Sequence, residues 1–235
     1  MQDFGAAFGL AFDLILSADA ALAEVVLLSL KVSLSAVVLA CLIGLPLGAA
    51  LAVLRFPGRV AVLVIVNALM GLPPVVVGLI LYLMLSNAGP LGVFGLLYTP
   101  TAMIIAQTVL VAPIIAALTR QVVEDLHGEY REQLHSFGVE RQHAMATLLW
   151  DGRYSLLTVA LAGFGRAIAE VGAVIIVGGN INHVTRVMTT SIALETSKGD
   201  LGLALALGII LIGLSLLVNG SVMALRGTAM KAAYA

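Results

Sequence analysis

The sequence predicts an all-helical bundle embedded in a lipid bilayer. Of its 235 residues, 61% are hydrophobic and only 11% are charged, against roughly 45–50% and about 25% in water-soluble domains. Five apolar runs each hold the ~20 residues that a helix needs to cross a ~30 Å hydrocarbon core. Barrel strands, the other way to satisfy backbone groups in lipid, would alternate apolar and polar residues with period two, and that alternation is missing.

Residues 4–17, taken first, are apolar but short, and they carry Asp13. This predicts a helix lying in the membrane interface or partly inserted, with a sixth crossing as the alternative. Runs at 25–54, 60–85, 98–118, 154–177 and 201–225 are the five expected spanning helices. Between them lie a basic turn at 55–59, a Gly/Pro loop at 86–100, a polar segment at 119–153 and a polar loop at 178–200, none long enough for a soluble domain. Residues 1–235 therefore read as a single transmembrane domain, with 1–24 as an N-terminal interfacial segment. No basic residue precedes Lys31, so the charged start of a cleavable signal is missing and the whole chain is expected to be retained. Cys41 is the sole cysteine, which excludes a disulfide within the chain.

Basic residues set the orientation, because Lys and Arg are enriched in cytoplasmic loops. With five crossings and the N-terminus outside, the inner face collects Arg55, Arg59, Arg120, Arg131, Arg141, Arg153, Arg226 and Lys231. The outer face collects only Arg186 and Lys198. Segment 119–153 is thus expected in the cytoplasm whether or not the first apolar stretch crosses.

Within that segment, Glu129 to Gly138 reads as a short amphipathic helix. Tyr130, Leu134 and Phe137, spaced by four and three, make one apolar face, and Gly138 is placed to end it. Periodicity alone is equally compatible with a connector resting on the membrane surface. The stretch Glu132-Gln-Leu-His-Ser-Phe-Gly138 resembles the cytoplasmic loop motif of ABC importer permeases, which begins Glu-Ala-Ala and reaches a glycine six positions after the glutamate. Gln133 and Leu134 replace the alanines, and Asp151 and Gly152 stand where the family carries a proline. The resemblance implies a five-helix permease of the MetI/ModB-like fold, and a coupling helix that docks on an ATPase subunit through Tyr130, Arg131, Glu132, Leu134, Phe137, Gly138 and Arg141. Docking needs exposed side chains and a stiff link to the next helix, because a soluble engine's movement must reach the membrane.

Two further stretches narrow the resemblance. Asn67-Ala-Leu-Met-Gly-Leu-Pro-Pro-Val-Val-Val-Gly-Leu79 and Gly165-Arg-Ala-Ile-Ala-Glu-Val-Gly-Ala-Val174 are similar to the molybdate, tungstate and sulfate importers. With the 178–190 and 195–200 stretches, the chain looks most like a tungstate-type permease. Pro73 and Pro74 remove two backbone donors; the resulting kink, beside Gly71, suits either a helix that lines a pathway or plain packing. Asn67 has two readings, a hydrogen bond across helices or substrate contact. Arg166 and Glu170, four apart on one helix face, neutralise each other in the bilayer or guide and gate an oxyanion. Gly44 and Gly48 form a Gly-x-x-x-Gly that permits close helix approach. His127, His135 and His143 recur every eight residues, a step that turns a helix ~80° beyond two turns, so they share no face and no metal site is expected.

The chain has no phosphate-binding loop, since none of Lys31, Lys198 and Lys231 follows Gly-x-x-x-x-Gly. The resemblance accordingly implies that ATP and its magnesium sit on a partner ATPase, that the chain itself holds no cofactor, and that no enzymatic activity resides in it. It also implies a homodimer, an extracytoplasmic solute-binding protein, no nucleic-acid partner, and a place in the cytoplasmic (inner) membrane of a prokaryote. An ion-gradient-driven transporter would call for mid-membrane charges in two pseudo-symmetric halves, and only Arg166 and Glu170 are present. A membrane scaffold gives no reason for the cytoplasmic glutamate-to-glycine motif.

Overall fold

The computed structural model describes residues 4–17 and 19–233; the side chains of Arg141, Arg226 and Lys231 lie outside the described set. The described residues form ten α-helices and one 3-10 turn: α1 (Phe4–Leu16), α2 (Ala20–Val53), α3 (Arg59–Met70), α4 (Pro74–Leu85), the turn at Gly92–Phe94, α5 (Pro100–Ser136), α6 (Arg141–Asp151), α7 (Arg153–Ile168), α8 (Gly172–Gly178), α9 (Met188–Lys198) and α10 (Leu201–Ala233). Three helices are long and apolar enough to cross a membrane, and the broken pairs α3/α4 and α7/α8 bring the total to as many as five. The all-helical class and the expected number of crossings hold. At 13 residues, α1 reaches ~20 Å, short of the hydrocarbon thickness.

Three expectations are corrected. The second run is not one kinked helix: α3 stops at Met70 and Pro74 is the first residue of α4. Proline is favoured at that position, where its missing N–H has no intrahelical partner to lose. The fourth run is likewise broken between Ile168 and Gly172, so Arg166 and Glu170 do not share a helix face; Glu170 lies in the break. The third helix does not stop near 118 but runs 37 residues to Ser136. Hydropathy falls there while a buried stripe continues, so the run of 129–138 is the end of α5 rather than a separate helix.

The chain divides into two compact units. One comprises residues 1–34, 74–107 and 168–235. In it α1 packs on α10, α9 packs on α10, and α4 packs on α8. A Cβ added at Gly78 would sit 2.8 Å from the Ala173 Cα, so the α4 and α8 backbones meet where only glycine fits.

The other unit comprises residues 35–73 and 108–167. The Gly44/Gly48 expectation holds here: an added Cβ would lie 2.8 Å from Ile115 Cγ2 at Gly44 and 2.5 Å from the Ala116 carbonyl at Gly48. Buried Ala49, Val53, Val123 and Leu148 form a core against which Leu126, Tyr130 and Leu134 pack. That stripe, spaced three and four residues apart, holds the polar half of α5 in helix. Arg59 donates through Nε to the Leu51 carbonyl at 2.7 Å. Its guanidinium also lies 3.4 Å from Glu124, which is paired with Arg120 as well.

Candidate docking end and pathway residues

The end of α5 is built by Gly138. At φ +65° it takes the left-handed conformation that closes a helix, donating its N–H to the His135 carbonyl at 3.1 Å while Val139 N–H reaches the Leu134 carbonyl at 3.0 Å. This six-to-one and five-to-two pair is the Schellman arrangement, and it satisfies carbonyls that the helix end would leave open. No atom lies within 4 Å of a Cβ built there.

The seven docking candidates separate by burial. Tyr130 and Leu134 are half-buried and pack on the core of this chain, so the apolar face that the spacing identified is covered from within at those two positions. Arg131 and Glu132 are exposed, and Phe137 is 81% exposed. Beside them is a concavity of about 480 Å³ whose lining includes Arg55, His127, Arg131, Glu132, His135 and Ser136. The Nδ1 of His127 is buried there without a hydrogen-bond partner. Beyond the turn, α6 leads through Gly152 directly into α7, and Trp150, 70% exposed, stacks with Arg153 at 4.9 Å from the ring centroid. The sequence placed Arg55 on the inner face and His127 on the surface of the docking region without bringing the two together, since they are far apart in the chain and share no motif. Trp150 was not singled out, and only the aromatic-next-to-basic pattern at 150–154 carried a signal.

The pathway candidates also divide. Asn67, Gly71 and Pro73 are exposed and Pro74 is half-buried. Among the described residues Asn67 makes no hydrogen bond, so of its two readings the bond across helices is not seen there. Val60, Val64, Asn67 and Gly71, spaced four, three and four, form one exposed stripe along α3 and its cap.

Glu170, in contrast, is 4% exposed. Its Oε1 accepts the Ala173 N–H at 3.1 Å, and its carbonyl accepts the Thr189 hydroxyl at 2.8 Å. The adjoining void, lined by Ser29, Ser33, Gln107, Glu170 and Thr189, measures about 10 Å³, space for at most a single water. Ser29 is itself engaged, donating to the Val25 carbonyl at 2.7 Å and accepting Met188 N–H at 2.8 Å. Glu170 therefore holds the start of α8 with its carboxylate and α9 with its backbone carbonyl, rather than facing an open channel. Arg166 stands in the last turn of α7. The loop after α8 is closed by Thr185, whose hydroxyl donates to the Gly178 carbonyl at 2.5 Å and accepts Ile181 N–H at 3.0 Å.

Residues 44–226 match the family described as "Binding-protein-dependent transport system inner membrane component". The chain is 37% identical to the tungstate uptake system permease protein TupB of Peptoclostridium acidaminophilum, over 96% of this chain and 99% of that protein. It is 40% identical to a probable anion ABC transporter permease protein of Haloferax volcanii, over 84% of this chain and 88% of that one. A second TupB, from Campylobacter jejuni, is 40% identical over 66% of this chain and 65% of its own length.

Proposed function

Because the chain belongs to the binding-protein-dependent transport system inner membrane components, the membrane subunits of ABC transporters, we propose that it is the permease of a tungstate importer, working as a homodimer on two ATPase subunits. Its substrate is taken from its relatives: the two TupB permeases are of tungstate systems, and the Haloferax protein bears a general anion designation. Molybdate and sulfate are the competing cargoes. A separate extracytoplasmic protein selects among them before the permease is reached, docking on the 86–100 and 178–200 loops.

The observation that carries the reading is the end of α5. One continuous helix runs from an apolar segment to a left-handed glycine stop, and beside that stop Arg131, Glu132 and Phe137 stand exposed. ATPase subunits engage these side chains, with Arg141 across the turn, while Tyr130 and Leu134 brace the helix from behind. ATP and magnesium bind on those subunits. Closure of the ATPase pair then moves α5 as a lever, turning the pathway outward, and hydrolysis returns it inward. The exposed stripe at Asn67 and Gly71 faces the second copy or the pathway, since an exposed amide in a spanning helix requires a polar or protein neighbour. Pro73 and Pro74 give that helix its break; Arg166 and Glu170 act on the anion only if the Glu170 region opens.

The test is uptake of labelled tungstate, molybdate and sulfate by vesicles holding the permease, its ATPase and its binding protein. Tungstate entry that requires ATP is the expected result. Entry driven by an ion gradient without nucleotide, or by the permease alone, would sink the reading.

A further inference from the structure

Around the docking end, most cations find a partner within the chain. Arg59 and Arg120 share Glu124, and Arg153 donates to the Trp150 carbonyl at 2.7 Å. Arg55, in the turn after α2, and Arg131, near the end of α5, are different. Both are exposed, and neither makes a hydrogen bond or ion pair among the described residues. Both line the concavity of about 480 Å³ beside the Gly138 stop.

The acids nearby do not serve these two guanidinium groups. Asp125 and Glu129 each stand two positions from His127, which turns them about 200° round α5 from the face that lines the concavity. Glu140 lies 3.7 Å from His143. Glu132 is the one acid on the lining among the described residues, and it is unpaired as well. Two arginines therefore stand against one carboxylate. Beneath them the floor is apolar: Val53 and Ala144 are buried and Leu134 is half-buried. An ion pair closed over such a floor is screened less than one on an open surface.

We propose that the docking is reciprocal: while the ATPase subunit covers Phe137, it inserts an acidic side chain into this concavity, where Arg55 and Arg131 pair with it. The inference rests on the docking reading above and adds to it the turn between α2 and α3, so that the stroke reaches α2 and α3 as well as α5. A carboxylate matches the guanidinium fork with two parallel hydrogen bonds. Two other occupants fit less well. A mobile oxyanion dianion is repelled by Glu132 twice as strongly as a carboxylate at the same distance, and it would leave most of the volume empty. A lipid headgroup would meet only the rim at Arg55, because the lining runs on from His127 to Ser136, about 14 Å along α5.

The test uses the full-length permease, immobilised in mild detergent, and its purified ATPase subunit. Arg55→Ala is expected to weaken retention of that subunit about tenfold, the scale of one hydrogen bond to a charged group. Arg55→Glu should weaken it further, and Arg55→Lys should keep most of it. In case Arg55→Glu disturbs the turn, the Arg55→Lys complex is treated with a carbodiimide, which joins an amine to a carboxylate in direct contact. The introduced amine should couple to an Asp or Glu of the ATPase subunit, mapped by peptide mass spectrometry, and less so as salt is raised. Wild type that retains no ATPase subunit would overturn the docking reading and this inference together. Where wild type retains it, the inference alone falls on equal retention by Arg55→Glu, on coupling of the introduced amine only to Glu132 of its own chain or to nothing, or on bound phosphatidylglycerol or tungstate that Arg55→Glu loses instead.

Discussion

Gly138 closes α5 at φ +65° with open space where a side chain would project, so backbone conformation and bulk can be separated there. A residue with a Cβ in the left-handed region costs about 1–2 kcal/mol, and asparagine adopts it more readily than valine. Uptake should therefore fall in the order glycine, asparagine, valine, with all three proteins present in the membrane; equal uptake by Gly138→Val would remove the turn from the coupling mechanism. Phe137 gives a second test at this scale. Covering its exposed ring on an ATPase surface contributes about 1.5–3 kcal/mol, so Phe137→Ala should weaken co-purification of that subunit by about tenfold to a hundredfold, whereas Tyr130→Ala should lower permease stability instead. The helix stop at Gly138 was legible in the sequence, where a glycine follows the amphipathic run. The inward orientation of Tyr130 and Leu134 was not, because spacing of four and three identifies a shared face without saying which neighbour covers it.

At the scale of elements, hydropathy located every expected crossing yet missed both breaks and the full extent of α5. The breaks were hidden because the residues around Pro74 and Glu170 are as apolar as those in an intact helix; Pro73-Pro74 carried a signal, read as a kink where the chain in fact starts a new helix. The length of α5 was hidden for the opposite reason. Its last turns are polar on one side, and the Val123, Leu126, Tyr130 and Leu134 stripe reports their burial only when a partner helix is known. If α5 acts as a lever, interrupting it at an exposed position should uncouple the machine: Gln121→Pro costs about 3 kcal/mol of helix, and ATP hydrolysis is expected to persist while uptake stops. Loss of hydrolysis together with uptake would show a folding defect instead. Contact between α4 and α8 is tested by Gly78→Leu, which forces a side chain onto the Ala173 backbone. A loss of about 3 kcal/mol or more, read by chemical denaturation in detergent, is the expected outcome.

For the whole molecule, the proposed homodimer is tested at the exposed α3 stripe. In a Cys41→Ala background, which removes the sole native thiol, Asn67→Cys should form a disulfide-linked dimer in native membranes on mild oxidation. Its absence, with Asn67→Cys still reactive toward a small permeant thiol reagent, would place the stripe against water rather than against a subunit. The two breaks have a consequence for the bilayer itself. Wherever a spanning helix stops and restarts, several amides and carbonyls lack neighbours along the backbone, and hydrocarbon offers them none. Around Glu170 the protein meets that need, through the Ala173 N–H on its carboxylate and the Thr189 hydroxyl on its carbonyl, whereas Gly71 and Pro73 stand exposed and need water or a neighbouring subunit. Deuterium should enter at Gly71 and Leu72 well before it reaches 169–171, leaving a single wet island in a shielded stretch.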